Sequence, residues 1–292
     1  MPGRIGDIGP RAASALVMAP VAVFAVWLGG LWTVAVVALV CVLLAYEWAR
    51  MSAPAGWRAI LAAVAVSLLA AVTATYLGGL SSGLLVMVAA AVIAGLLAWR
   101  LGRSPTDAAY GVLYIGWPAV LFVWLRDGTS AEGFYWVTLA FAVTWSADIA
   151  AFITGSLLRG PRLWPRFSPN KTWSGFIGGL AAGTVAGALM TALPSGVDSV
   201  IAGALLGLAG GAAAMAGDLW ESALKRRFGV KDAGDIIPGH GGLLDRVDGL
   251  MFAIVVIAGG RFVIELGQIG GGPHVVFPSS GLPDRLASPP SR

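Results

Sequence analysis

Long apolar runs, broken at nearly even intervals by short polar stretches, dominate this chain. A membrane-spanning helix needs about 20 mostly apolar residues. Nine stretches approach that length: 12–29, 31–48, 59–77, 84–99, 108–125, 134–155, 173–193, 199–219 and 250–266. The pattern predicts an all-α, polytopic membrane protein with about nine transmembrane helices. Only Gly29-Gly30 separates the first two runs, which predicts a tight hairpin. The ninth is the weakest, because Arg261 and Glu265 fall in its outer part. Residues 1–266 read as one membrane-embedded domain: five spans form an N-terminal half, and 134–266 form the half that carries the polar clusters. From Gly267 onward the chain is rich in Gly, Pro and Ser, the composition of a loosely ordered tail.

Glycines recur every four residues in two of these runs, at Gly175, Gly179, Gly183 and Gly187 and again at Gly203, Gly207 and Gly211. Such ridges let helix backbones approach closely in lipid. The pattern alone leaves open whether they pack within one chain or between two copies, so a homodimer stays open as well.

Composition sharpens the class. Of 292 residues, 58% are hydrophobic and 12% charged, against about 25% charged in a soluble domain. The net charge of +4 comes from residues scattered over short loops, which argues against nucleic acid as a partner. Cys41 is the only cysteine, so an intramolecular disulfide and a thiolate zinc cluster are both excluded. The first apolar stretch is too long for a cleavable signal and reads as a retained span. With nine spans, most of the Arg and Lys fall on one side, and Arg126, Arg261, Arg285 and Arg292 on the other. The positive-inside bias then places the N-terminus in the cytoplasm and the C-terminus outside, as in a bacterial inner membrane.

The polar residues gather in three places. Between the last two spans lies GDLWESALKRRFGVKDAGDIIPGHGGLLDRVD, from Gly217 to Asp248. Asp218, Glu221, Ser222 and Lys225 are spaced i, i+3, i+4 and i+7, on one face of a helix. Hard carboxylate oxygens suit Mg²⁺ together with phosphate oxygens; a solvated stripe of ion pairs is the plainer alternative. Asp245 and Asp248, again i and i+3, can share a cation or cap a helix start. Gly241 and Gly242 offer backbone amides for a phosphate, and His240 beside them could carry a proton, donate to phosphate or simply sit in the turn. The second cluster, Ser168-Pro169-Asn170-Lys171-Thr172, precedes a helix that Asn170 or Thr172 can cap, and a helix start with a lysine can bind phosphate. The third element is Asp148, a carboxylate inside an apolar span and so a candidate for function. All three lysines of the chain, Lys171, Lys225 and Lys231, lie in the first two clusters.

These residues resemble the signature of the phosphatidate cytidylyltransferases, or CDP-diacylglycerol synthases. The likeness runs through Ser222, Leu224, Lys225, Arg226, Lys231, Asp232, Gly234, Ile237, Pro238, His240, Gly241, Gly242, Leu243, Asp245, Arg246, Val247 and Asp248. Gly217 to Ser222 and the Ser168 to Thr172 element are similar to the family too. Ser174 stands where many members have an acidic residue, and Phe152 where many have Tyr.

The resemblance implies a reaction of CTP with phosphatidate in a lipid membrane, giving CDP-diacylglycerol and pyrophosphate. It implies catalytic roles for Asp218, Lys225, Asp245, Asp248 and His240. A metal shell of Asp218, Asp245 and Asp248 with Glu221 and Asp148 nearby would hold Mg²⁺, and the resemblance allows a second cation. Ser168, Asn170, Lys171, Thr172, Ser222, Arg226, Lys231, Gly241, Gly242 and Arg246 would bind the substrates. Two rivals stand beside it. A CDP-alcohol phosphatidyltransferase starts with Asp-x-x-Asp-Gly, as Asp245 to Gly249 do, but the aspartates expected to follow are missing. A transporter would place charges near the midplane, whereas here they gather at one face.

Overall fold

A computed structural model describes residues 20, 23–24, 26–165, 168–194, 197–236 and 241–270, the side chains of 268–270 excepted. Its helices are α1 (Gly30–Ser52), α2 (Trp57–Arg100), α3 (Pro105–Arg126), α4 (Ala131–Leu158), α5 (Trp173–Met190), α6 (Val200–Arg227) and α7 (Leu244–Gly270). All seven are long and apolar enough to cross a membrane. Their outward side chains are large and apolar, as lipid requires: Leu77, Leu157 and Ile201 are each about three-quarters exposed.

Two of the expected spans, 59–77 and 84–99, are the arms of α2, which breaks at Gly79 (φ 80°, ψ −176°). A positive φ there costs glycine no steric penalty. The arms fold back on each other, so that the Ser67 hydroxyl, donating to Ala63 O at 2.7 Å, also lies 3.4 Å from Ala90 O. The expected span 12–29 falls mostly outside the described residues. The last helix begins at Leu244, earlier than 250, and runs to Gly270, so it takes in the first four residues of the stretch read as tail. The remainder of that tail is outside the described residues.

Helix starts follow capping chemistry. Ser104, Ser130, Thr172 and Ser199 each accept a backbone N–H from three residues on, at 2.9 to 3.3 Å. One departure from an all-helical chain is a small antiparallel hairpin, β1 (Arg162–Trp164) with β2 (Ser168–Thr172), pairing Arg162 with Thr172 and Trp164 with Ser168.

The glycine ridges meet each other inside the chain. A Cβ on Gly183 would stand 3.0 Å from Gly207 O, and one on Gly207 would lie 2.9 Å from Gly187 Cα. The α5–α6 contact is therefore backbone against backbone. Two buried clusters fill the rest, one around Trp48, Leu68, Met87 and Ile115, the other around Trp136, Leu125, Leu139 and Ile257. Helix alternation brings the end of α1, the end of α4, the start of α5, the end of α6 and the start of α7 to one face. At the opposite face Gly30 N donates to Gly128 O at 2.6 Å, and Arg126 Nε to Val26 O at 2.6 Å.

Candidate active site

Close packing at the polar face brings three helix ends together. Gly175 of α5 meets α4 so tightly that a Cβ there would stand 2.8 Å from Ala151 O. Gly217 of α6 similarly abuts α7, where a Cβ on it would stand 2.9 Å from the Phe252 ring, and a Cβ on Gly249 would stand 3.1 Å from Ala214 O. Small residues at these crossings let carboxylates on three helices face one space.

That space is a cavity of about 1050 Å³ between α4, the hairpin and the ends of α5, α6 and α7. The chain enters the hairpin through a sharp turn, with Arg159 (φ 53°) and Gly160 (φ 105°) both in the left-handed region. Ser174 Oγ donates to Arg159 O, and Trp173 N to Pro161 O at 3.0 Å, which ties the turn to the start of α5. Thr172 caps that start through Gly175 N at 3.1 Å. Lys171, one residue earlier, points into the cavity and pairs with Asp218.

The acidic groups form two sets. In the first, Lys225 Nζ bridges Glu221 Oε2 at 2.6 Å and Asp245 Oδ1 at 2.5 Å. The other oxygen of Asp245, Oδ2, accepts Gly242 N at 2.9 Å and Ala233 N at 3.1 Å. Glu221 Oε1 is buried and has no hydrogen-bond partner among the described residues. In the second set, Asp148, Asp218 and Asp248 act on one another electrostatically, with Lys171 as the opposing charge. Asp248 also accepts Gly249 N at 2.8 Å.

Of the residues singled out in the sequence, Asp148, Asp218, Glu221, Lys225, Asp245 and Asp248 all line the cavity. So do Ser168, Asn170, Lys171, Thr172 and Arg246. Gly241 and Gly242 lie behind Asp245 rather than on the cavity wall; Gly241 turns the backbone at φ 83°. Ser222, Arg226 and Lys231 are not among the lining residues, and Arg226 donates to Val230 O at 3.4 Å. His240 lies outside the described residues.

The metal shell expected from the resemblance is Asp218, Asp245 and Asp248, with Glu221 and Asp148 nearby. Among the described residues no three of His, Cys, Asp and Glu converge closely enough to hold one metal ion. The reason is physical: Lys225 occupies the space between Glu221 and Asp245, and Lys171 takes an oxygen of Asp218. The donor set nevertheless suits a hydrated hard cation. Mg²⁺ commonly takes one or two carboxylates and completes its octahedron with water and substrate phosphates. Asp148, Asp218 and Asp248 are hard oxygen donors of that kind on one open cavity.

Three contributors went unnoticed as site residues in the sequence. Arg159 and Arg162 line the cavity, and their loop position had marked them only as topology signals. Glu47 is fully buried in α1 and accepts Leu243 N and Leu244 N, each at 2.7 Å. The signal that could have found it is the one that found Asp148, a carboxylate inside an apolar run.

Comparison with known proteins identifies the family. Residues 10–261 match the family described as "Cytidylyltransferase family". Proteins named phosphatidate cytidylyltransferase from Brucella suis biovar 1 and Brucella melitensis biotype 1 are each 35% identical to the chain over 261 residues, covering 87% of it and 93% of each relative. One of the same name from Staphylococcus saprophyticus is 37% identical over 151 residues, covering 52% of the chain and 58% of that relative.

Proposed function

This chain belongs to the cytidylyltransferase family, and from that premise we propose that it joins CTP to phosphatidate, giving CDP-diacylglycerol and pyrophosphate. It is then a nucleotidyltransferase of phospholipid synthesis embedded in the membrane as a multi-pass protein. The observation that carries the reading is the cavity itself: acidic and basic groups from four elements share one space beside a lipid-facing helix. Phe152 belongs to both, lining the cavity while three-quarters exposed, with Leu157 and Leu158 exposed beyond it. A phosphate headgroup can enter the cavity while its acyl chains stay in lipid.

In the reaction an oxygen of the phosphatidate monoester attacks the α-phosphorus of CTP. The bond from that phosphorus to the β-phosphate's bridging oxygen breaks, and pyrophosphate leaves with the electron pair. The nucleophile is already anionic near neutral pH, so no side chain need become covalent. The barrier lies in bringing polyanions together and in stabilising the charge that develops. Lys171, Arg159, Arg162 and Arg246 would draw phosphates into the cavity and orient them. Lys225 is held by Glu221 and Asp245 so that its charge stays fixed at the cavity wall. Asp148, Asp218 and Asp248 would hold Mg²⁺, which supplies charge neutralisation on the phosphates when bound.

The positive-inside bias supports a site that opens to the cytoplasm, where CTP is found. The test is purified protein with CTP and short-chain phosphatidate. Mg²⁺ should give equimolar CDP-diacylglycerol and pyrophosphate, a chelator should stop turnover, and added Mg²⁺ should restore it. No pyrophosphate release in the complete mixture would remove this reading.

A further inference from the structure

Glu47 lies about 200 residues before the polar cluster it touches, in a helix that contributes nothing to the cavity wall. Its side chain is wholly buried. One oxygen accepts Leu243 N and the other Leu244 N, both at 2.7 Å. These amides open α7, where backbone N–H groups lack intrahelical partners and the helix dipole favours an anion. A carboxylate is the side chain that can accept at both oxygens here, and charge-assisted bonds of this length are the stronger kind.

The surrounding backbone is built around that carboxylate. A Cβ on Gly234 would stand 2.8 Å from Glu47 Oε1, and a Cβ on Gly242 would stand 2.9 Å from it. The two loop segments that close on Glu47 are also the two that donate to Asp245, through Ala233 N and Gly242 N. Glu47 and Asp245 thus lie side by side, stitching residues 233–234 to the turn at 242–245. Asp245 in turn fixes Lys225 at 2.5 Å. A continuous chain of contacts runs from Glu47 through the Leu243–Leu244 amides to Asp245, Lys225 and the cavity.

We propose that Glu47 is a positioning residue: it clamps the turn that carries Asp245 and thereby sets where Lys225 presents its charge. The N-terminal half of the chain is then a participant in the geometry of the site as well as a membrane anchor. This deepens the cytidylyltransferase reading and rests on it for its kinetic part, while its structural part can be tested without any substrate.

The experiment uses the full chain in detergent and compares the wild type with Glu47→Gln and Glu47→Asp. Glutamine keeps the volume but turns an NH₂ toward one of the two donors. Aspartate keeps the charge but is one methylene short. Hydrogen exchange reads the clamp directly. In Glu47→Gln the amides of 242–247 should exchange at least tenfold faster, while those of 203–215 in α6 stay within twofold.

Turnover reads the consequence. In Glu47→Gln, kcat should fall at least tenfold with KM for CTP within threefold, and Glu47→Asp should recover part of the loss. In a Lys225→Met background, adding Glu47→Gln should cost less than twofold more, because both changes act on one chain of contacts. Unchanged exchange at 242–247 would overturn the proposal whatever the activity. Full activity in Glu47→Gln, or losses that multiply independently with Lys225→Met, would overturn the coupling to the site. A wild type inactive with CTP and phosphatidate would instead sink the cytidylyltransferase reading and leave the exchange result standing.

Discussion

Lys225 is one ammonium between two carboxylates, with Glu221 2.6 Å away and Asp245 2.5 Å away. All three side chains are largely buried, at 14%, 2% and 10% exposure. Removing one partner from such a group leaves buried charge uncompensated, a change that costs about 3–5 kcal/mol. Lys225→Met should therefore lower stability by about 3 kcal/mol, checked by thermal unfolding in detergent, and should cut turnover about a hundredfold while leaving a measurable residual rate. Lys171→Met removes the charge opposing Asp218 at a wetter position, where the two side chains are 26% and 41% exposed. It should leave the thermal midpoint within a few degrees and raise KM for CTP at least tenfold, read from initial rates. Spacing made these residues legible: Asp218, Glu221 and Lys225 share a helical stripe whatever the tertiary fold. Which carboxylate pairs with which lysine was not legible, because the answer depends on the distance between α5, α6 and α7. The same gap hid Glu47, whose partners are amides of residues nearly 200 positions later.

Elements here are set by apolar length and placed by glycine. The recurrence of glycine at every fourth position identified the faces of α5 and α6, and the structure answers the open question by packing them on each other. Gly187 and Gly207 approach until a Cβ on Gly207 would lie 2.9 Å from Gly187 Cα, leaving no room for a side chain. Gly207→Val should push the helices apart, lowering stability by about 2–3 kcal/mol as overpacking does. Because Lys171 lies on β2 just before α5 and α6 carries Asp218 in its second half, activity should fall with it. Both are measurable by thermal unfolding and pyrophosphate release on the same preparation. The β1–β2 hairpin was hidden for a physical reason. Its strands are three and five residues long, and Pro161, Pro165 and Pro169 punctuate it as they would an ordinary loop. Pairing of its two ends, with Ser174 and Trp173 tied to the turn before it, makes it a cavity wall. No periodicity in the sequence could announce that.

Across the whole molecule the charged residues divide between two faces with different work. One face holds the cavity. The other holds Arg261, which donates to Glu265 Oε1 at 2.7 Å and to the carbonyls of Trp124 and Leu125 at 3.3 and 3.1 Å. Its guanidinium also sits 4.7 Å from the centre of the Trp124 ring. This pairing explains how the weakest expected span tolerates an arginine: the guanidinium satisfies the last carbonyls of α3 instead of facing lipid. The two faces should lie on opposite sides of the membrane, and the chain offers a clean way to ask. Its only cysteine, Cys41, is buried, so Cys41→Ala leaves a background free of thiols. Thr106 is exposed at the start of α3 on the cavity face, and Thr129 is exposed beyond its end. With the cavity facing the cytoplasm, a membrane-impermeant maleimide added to intact cells should label Thr129→Cys, and should label Thr106→Cys only after permeabilisation. The reverse pattern would put the cavity outside, away from cytoplasmic CTP, and would contradict the orientation drawn from the distribution of arginine and lysine.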